Sequence, residues 1–324
     1  MQLGKDLHND EFLCKIGFCL YKFTIANLKR RAIMELSEKM KKLLERMVMK
    51  MKKVMKALSL LMAAVLVLAC FAGCTGGNGA QENTNAAGAS NTQTLSKVDQ
   101  IKAKGELVML TNATFPPFEY TEGGEVVGVD VDIANEIAKE LGVKLTVQDM
   151  EFDLITDYIK AGKGDIGAAG ISISEDRKKQ VDFSNEYITS TQYVIVPAGT
   201  DTKSFKLDGK VIGVQEGTTG DIYYASEPKV IKAKEVKKYK SAIDAAADML
   251  LGRVDCVIID ELPAKKITEK NSGKMICYNP GYEPESYAIA IQKGSDDLAQ
   301  VVNQVLTRLK GEGKIDQYLL NHTS

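Results

Sequence analysis

Residues 107–142 read LVMLTNATFPPFEYTEGGEVVGVDVDIANEIAKELG. Their pattern indicates an apolar strand, then a loop, then an amphipathic helix. The spacing predicts a strand over Leu107–Leu110 and a helix over Asp132–Leu141 whose isoleucine and leucine side chains recur at every fourth residue. Gly142 follows the helix as its stop signal. This order of elements is typical of α/β proteins with mostly parallel sheets.

The alternation of strand and helix signals continues along the chain and restarts once after residue 209. Further strands are expected at 165–169, 210–215 and 254–259. Further helices are expected to be capped by Asp153, Ser241 and Ser295, and another to open at Thr218. Two α/β units are implied, with the last helix belonging to one of them. Ligands of such folds bind at the carboxyl ends of strands, so we expect a site in the loops after 110, 169, 215 and 259.

Composition excludes several classes of function. The 42 Lys and Arg residues nearly balance the 43 Asp and Glu residues, leaving a net charge of −1 and no field that would attract nucleic acid. The two histidines, His8 and His322, lie at opposite ends of the chain, so a histidine-based catalytic pair or metal site is not expected. We therefore expect no catalytic residue, no metal and no cofactor.

Residues 50–74 have the pattern of a secretory signal peptide, with a basic start, an apolar run and small residues before a cysteine. The apolar run of about 15 residues is shorter than the ~20 residues that span a bilayer. The segment Phe71-Ala72-Gly73-Cys74 resembles a bacterial lipobox, in which the cysteine is acylated after cleavage. Cys74 is the favoured lipidation site, and Cys70 is the rival.

Residues on either side of this signal have simpler interpretations. Residues 1–49 match no targeting pattern and indicate an over-long gene start, with a cytosolic extension as the alternative. Residues 75–97 are rich in Gly, Ala, Asn, Thr, Gln and Ser and are expected to form a flexible tether.

Cys256 and Cys277 lie in apolar strand-like runs, which favours buried free thiols over a disulfide.

Five segments resemble family 3 of the bacterial extracellular solute-binding proteins. They are TNATFPPFE (111–119), GVDVDI (128–133), GISISEDR (170–177), FSNEY (183–187) and GVQEGTT (213–219). Val129 departs from the Phe, Tyr, Ile or Leu that the family usually has there. The resemblance runs from about residue 98 to the C-terminus. It implies a class II periplasmic-binding-protein fold, with lobe I at 98–195 plus 286–324, lobe II at 196–285 and two crossovers between them.

The resemblance also implies a binding site for a free amino acid. Its expected residues are Asn112, Phe115, Phe152, Gly170, Ser172, Arg177, Thr218, Thr219 and Asp260. Arg177 is implied to bind the ligand carboxylate with its planar fork, although its position beside two lysines is also typical of a solvated surface. Asp260 is implied to accept the ligand ammonium, unless it only caps the following helix. Thr218 and Thr219 would offer backbone N–H groups, or act as plain helix caps.

These features predict a monomeric, lipid-anchored receptor on the extracellular face of the cell membrane, or on the periplasmic side where a second membrane exists. It would deliver an amino acid to the permease of an ABC importer. The alternative is a small-carboxylate dehydratase on the same fold. The neutral Asn112 favours a polar ligand that is not basic, such as glutamine or cystine. Glu119 or Glu216 would favour a basic one if either faced the pocket.

Overall fold

The computed structural model describes residues 95–323. The expected gene start, signal peptide, lipidation site and most of the tether lie outside the described residues. No helix within 95–323 combines the length and the apolar character that a membrane crossing requires.

Strands and helices alternate along the described chain. The strands are β1 (Glu106–Thr111), β2 (Thr114–Phe115), β3 (Glu119–Glu122), β4 (Glu125–Val127), β5 (Lys144–Asp149), β6 (Ile166–Gly167), β7 (Asp182–Phe183), β8 (Ile188–Ser190), β9 (Gln192–Pro197), β10 (Val211–Gln215), β11 (Glu235–Tyr239), β12 (Cys256–Asp260), β13 (Met275–Tyr278), β14 (Glu285–Tyr287) and β15 (Ala290–Ile291). The α-helices are α1 (Lys97–Lys104), α2 (Val129–Leu141), α3 (Ile155–Lys160), α4 (Glu175–Lys178), α5 (Ala242–Leu250), α6 (Glu261–Lys270), α7 (Asp296–Gly311) and α8 (Lys314–Thr323). A 3₁₀ turn (Phe152–Leu154) and a π-helical turn (Gly220–Ala225) complete the set.

Two five-stranded sheets form the cores of two lobes. The first has the order β5-β1-β6-β15-β7, and the second has the order β11-β10-β12-β9-β13. In the first sheet β1 pairs in parallel with both of its neighbours, β5 and β6. In the second sheet β10 pairs in parallel with its neighbours β11 and β12. Helices pack on both sheets, so the predicted fold of two α/β lobes is confirmed.

Two crossing strands, β8 and β14, connect the lobes. Along the chain, β8 lies between a strand of the first sheet and one of the second, and β14 lies between a strand of the second sheet and one of the first. The two strands pair antiparallel. The predicted lobe boundary after residue 195 falls inside β9 (Gln192–Pro197), a strand of the second sheet. Similarly, α1 begins at Lys97, within the stretch that was expected to be tether.

Helix α2 begins three residues before its predicted start at Asp132. Gly128 adopts a φ of 135°, and a Cβ at this position would lie 2.1 Å from the Phe118 carbonyl oxygen. Only glycine therefore lets the chain turn into α2 so close to the preceding loop. The turn carries Asp130 into the interior, where it is 0% exposed.

Predicted helix caps have mixed outcomes. Ser241 is confirmed, because its Oγ accepts a hydrogen bond from the Asp244 N–H at 3.1 Å. Ser295 precedes α7 but makes no capping bond with its side chain. Asp153 lies inside the 3₁₀ turn, which begins after Glu151, so its predicted role as a cap is wrong.

The two cysteines of the described chain are free thiols. Cys256 is fully buried and packs in one apolar cluster of lobe II, whereas Cys277 is half-buried and contacts the larger cluster. The free-thiol prediction is confirmed for both, and the disulfide alternative is wrong. Cys277 is less buried than expected because it lies on β13, the edge strand of its sheet.

Candidate functional site

A cavity lies between the two lobes. Twelve residues line it: Asn112, Phe115, Glu119, Phe152, Ala169, Gly170, Ser172, Arg177, Gln215, Thr218, Thr219 and Asp260. All nine residues that the sequence predicted for the site are among them. These residues lie on separate loops that the two sheets bring together. The loops are at or next to the carboxyl ends of β1, β6, β10 and β12.

Arg177 points into this cavity from α4. Its guanidinium donates to the Ser172 carbonyl at 2.7 Å and, across the cleft, to the Gly217 carbonyl at 3.0 Å. The guanidinium lies 5.3 Å from the centroid of the Phe152 ring. Burial lowers the pKa of Arg177, but an arginine remains a cation at neutral pH. The interpretation of Arg177 as a solvated surface residue is therefore wrong.

The neighbouring lysines behave differently from Arg177. Lys178 pairs with Glu175 at 2.9 Å and Lys179 pairs with Asp176 at 2.7 Å, all four on the outer side of α4. Three consecutive residues thus comprise one enclosed cation, Arg177, and two solvated cations, Lys178 and Lys179. Sequence spacing alone gives no means to distinguish them.

Asn112 makes three hydrogen bonds to other residues of the protein. Its amide oxygen accepts from Gln215 Nε2 at 2.9 Å and from Thr114 Oγ1 at 2.6 Å, and its nitrogen donates to the Met150 carbonyl at 2.7 Å. The bond to Gln215 joins the two lobes, as does the bond from Arg177 to Gly217. The cleft is therefore closed in this structure, and Asn112 helps to close it.

Asp260 ends β12 and is 5% exposed. The Tyr287 hydroxyl donates to its Oδ1 at 2.5 Å. Burial and, after it, the negative charge of Glu285 raise the pKa of Asp260 to about 8, although hydrogen bonds from Tyr287 and Gln192 oppose the rise. Its side chain makes no capping bond to α6, so the interpretation of Asp260 as a simple cap is wrong. A carboxyl group held in this way suits a ligand ammonium.

Glu119 is the carboxyl group whose direction the sequence left open. It is 0% exposed, lines the cavity, and has no hydrogen-bond donor at either oxygen among the described residues. Burial raises the pKa of Glu119 well above its usual value, and the neighbouring Asp130 raises it further. Glu216, by contrast, is half-buried and is not among the cavity-lining residues.

Asp130 lies behind Glu119 and is satisfied by the protein. It accepts from the Gly170 N–H at 2.9 Å and from the Tyr187 hydroxyl at 2.8 Å. Burial raises the pKa of Asp130 to about 6, while these two donors and Glu119 oppose the rise. Asp130 therefore anchors the wall of the cavity.

Phe115 and Gly170 shape the remaining wall. Phe115 is 6% exposed and stacks on Phe118 with ring centroids 5.6 Å apart. Gly170 has a φ of 54°, and a Cβ there would lie 2.7 Å from the Phe115 ring. Glycine is required here both for the backbone conformation and for the space.

The Thr218 hydroxyl donates to the Gln215 carbonyl at 2.8 Å and accepts from the Asp221 N–H, which fixes the turn before Gly220–Ala225.

Three lining residues were not in the predicted set, namely Glu119, Ala169 and Gln215. Ala169 and Gln215 stand at strand ends, where the rule for α/β folds already pointed. Glu119 belongs to the first motif, but its inward direction depends on β3 pairing with β2 and β4.

Two α/β lobes that close over a polar cavity, with two crossing strands, define the class II periplasmic-binding-protein architecture. The chain matches the bacterial extracellular solute-binding proteins, family 3, over residues 107–322. It belongs to this family.

Relatives and solved structures agree with this assignment. The "Arginine-binding periplasmic protein" of Mannheimia haemolytica is 33% identical, covering 66% of this chain and 90% of that protein. The "L-cystine-binding protein TcyJ" of Escherichia coli (strain K12) is 25% identical, covering 67% of this chain and 82% of that protein. The arginine-bound form of truncated ArgBP from T. maritima is 37% identical, with a TM-score of 0.61, and the match covers 65% of this chain and 99% of that one.

Proposed function

We propose that this protein is the extracellular receptor of an amino-acid ABC importer and that its preferred ligand is an amino acid with a cationic side chain, arginine first. The observation that carries the proposal is that one interlobe cavity is lined by Arg177, Asp260 and Glu119. These groups match the carboxylate, the α-ammonium and a distal cation of one ligand. Its delivery to a permease follows from the family.

The α-carboxylate and α-ammonium of the ligand are assigned to opposite lobes. Arg177, on lobe I, offers a planar fork of donors that suits a carboxylate. Asp260, at the end of a lobe II strand, offers an acceptor for the ammonium. A ligand that contacts both groups holds the lobes together, which is how hinge closure buries a solute.

The distal group of the ligand is assigned to Glu119, and this changes the expectation drawn from Asn112. The Asn112 amide is engaged by Gln215, Thr114 and Met150, so it is a poor candidate for reading the side chain. Glu119 has no such partner and gains one when a guanidinium or ammonium arrives. Relatives named for arginine support this choice, and the relative named for cystine keeps neutral polar ligands as the competing outcome.

The family also supports a binding role over the dehydratase alternative. The relatives described above are named as binding proteins rather than enzymes. In the proposed complex Asp260 and Glu119 are both occupied by ligand cations, which leaves no free acid or base beside the ligand. We therefore assign no reaction to this site.

Ligand-dependent stabilisation tests the proposed function. We expect arginine to raise the melting temperature more than the other amino acids, with lysine, histidine, glutamine and cystine in the same screen. A ligand at about 100 times its dissociation constant adds about 2.7 kcal/mol to the free energy of unfolding. A screen in which no amino acid stabilises the protein would contradict the receptor proposal. Greater stabilisation by glutamine or cystine than by arginine would contradict only the cationic preference.

We also propose that the receptor is anchored by a lipid on Cys74. The lipobox-like segment before this cysteine and the family's extracellular location support the anchor. Mass spectrometry of the membrane-extracted protein is expected to show an N-terminal diacylglyceryl cysteine at residue 74. An intact peptide spanning Gly73 and Cys74 would contradict this site, and acylation at Cys70 would move it.

A further inference from the structure

The cavity encloses more acids than its cations can balance. Glu119 and Asp130 are 0% exposed and Asp260 is 5% exposed. Among the described residues that line the cavity, Arg177 is the one cationic side chain. Ionising all three carboxyl groups without a ligand would leave a buried net negative charge, which is costly. Some of these groups must therefore hold a proton while the site is empty.

The hydrogen bonds indicate where the first proton lies. Asp130 receives donors from the Gly170 backbone and from the Tyr187 hydroxyl. Glu119 receives none from the described residues. Two neighbouring carboxyl groups in a dry site do not both ionise, and the one without donors keeps the proton. That group is Glu119, which can donate its proton toward Asp130.

Asp260, at the end of β12, is the second candidate to hold a proton. Asp260 accepts one bond from Tyr287 and experiences the negative charge of Glu285. Gln192 donates to Glu285 at 2.6 Å, and the second Glu285 oxygen has no partner among the described residues. Arg177 interacts electrostatically with Asp260 and Glu285, but its hydrogen bonds run to the Ser172 and Gly217 carbonyls.

We propose that the protein binds its amino acid in exchange for protons, with the ligand α-ammonium replacing a proton on Asp260 and the ligand side-chain cation replacing a proton on Glu119. The proposal rests on the proposed function, because it requires an amino acid in this cavity. Each step breaks one carboxyl O–H bond and releases the proton to water, while the bonds of the ligand are unchanged.

The charged and titratable neighbours fix the direction of the effect. Glu119 faces Asp130, Asp260 and Asp149, and Asp260 also faces Glu285, Tyr287 and Arg177. Acid keeps protons on Glu119 and Asp260 and so competes with the ligand. Affinity is therefore expected to rise with pH, about tenfold per pH unit for each proton released, and to level off once the empty site is ionised.

Calorimetry in buffers with different ionisation enthalpies measures the protons directly. At about pH 7 we expect about two protons to be released per arginine and about one per glutamine, one for each ligand cation. The Glu119→Gln protein is expected to release one proton fewer with arginine. The control is Glu216→Gln, a neighbouring carboxyl outside the cavity, which is expected to release as many protons as the wild type.

The outcomes separate this proposal from the proposed function. Binding enthalpies that are the same in every buffer, together with a dissociation constant that does not change between about pH 5.5 and 8, would overturn the proton exchange and leave the receptor intact. Equal proton release for arginine and glutamine would overturn the assignment to Glu119. If no amino acid binds, the proposed function itself fails.

Discussion

Replacing Arg177 by alanine is expected to abolish amino-acid binding while leaving the fold intact. The guanidinium is the cavity's one cation among the described lining residues, and a ligand carboxylate buried without it loses its charged donors. Removing one partner of a buried, hydrogen-bonded charge pair costs about 2–5 kcal/mol or more. Isothermal titration of the purified variant with arginine measures the loss. Circular dichroism and the melting temperature without ligand report on the fold.

Arg253→Ala is the matched control for this variant. Arg253 lies on lobe II, its side chain is 61% exposed, and it pairs with Asp248 at 2.8 Å outside the cleft. Its loss is expected to leave affinity unchanged, because exposed ion pairs contribute little. Binding by Arg177→Ala within about threefold of the wild type, a difference of less than 1 kcal/mol, would mean that the ligand carboxylate is held elsewhere.

Glu119→Gln is expected to remove the preference for a cationic side chain. The substitution keeps the shape of the side chain but cannot supply the negative charge that a buried guanidinium needs. Arginine affinity is expected to fall by about 2–5 kcal/mol, which is roughly 30-fold or more, and glutamine affinity far less. Because Glu119 is neutral in the empty cavity, the free protein is expected to keep its stability. Competition binding with arginine, lysine and glutamine gives the comparison.

Glu216→Gln tests whether the position of the carboxylate matters, and not only the loss of one negative charge. It removes a carboxylate three residues before Thr219, yet outside the cavity, so the arginine preference is expected to persist. If Glu216→Gln lost that preference while Glu119→Gln retained it, the assignment of the two acids would be reversed. If neither variant changed it, groups other than these two acids would determine the preference for arginine.

Local signals in the sequence were enough for the architecture and for most of the site. Apolar strands such as β1 and the periodic face of α2 follow from residue spacing, which is a local property. The motif residues stand at strand ends, where α/β folds bind ligands. All nine predicted residues therefore line the cavity. Their roles as ligand contacts remain predictions for the experiments above.

Asn112 and Glu119 show what the sequence could not decide. The neutral amide at 112 favoured a neutral ligand, but the closed lobes bring Gln215 to its oxygen and engage it. Gln215 lies 103 positions away in the chain, so no local pattern predicts this bond. Glu119 follows two prolines in a loop motif, and its inward direction is set by the pairing of β3 with β2 and β4.

The sequence by itself determined the family, the two α/β lobes and the chemical types of the groups around the cavity, because these depend on residue identity, spacing and order. Only the tertiary structure decided which carboxyl groups face the cavity and which donors they lack. Burial and hydrogen bonding depend on neighbours that are distant in the chain, as Gly170 is from Asp130 and Tyr287 is from Asp260. These neighbours decide whether a carboxyl group is a solvated anion or a proton-holding acid. The ligand charge that suits the cavity therefore depends on the tertiary structure.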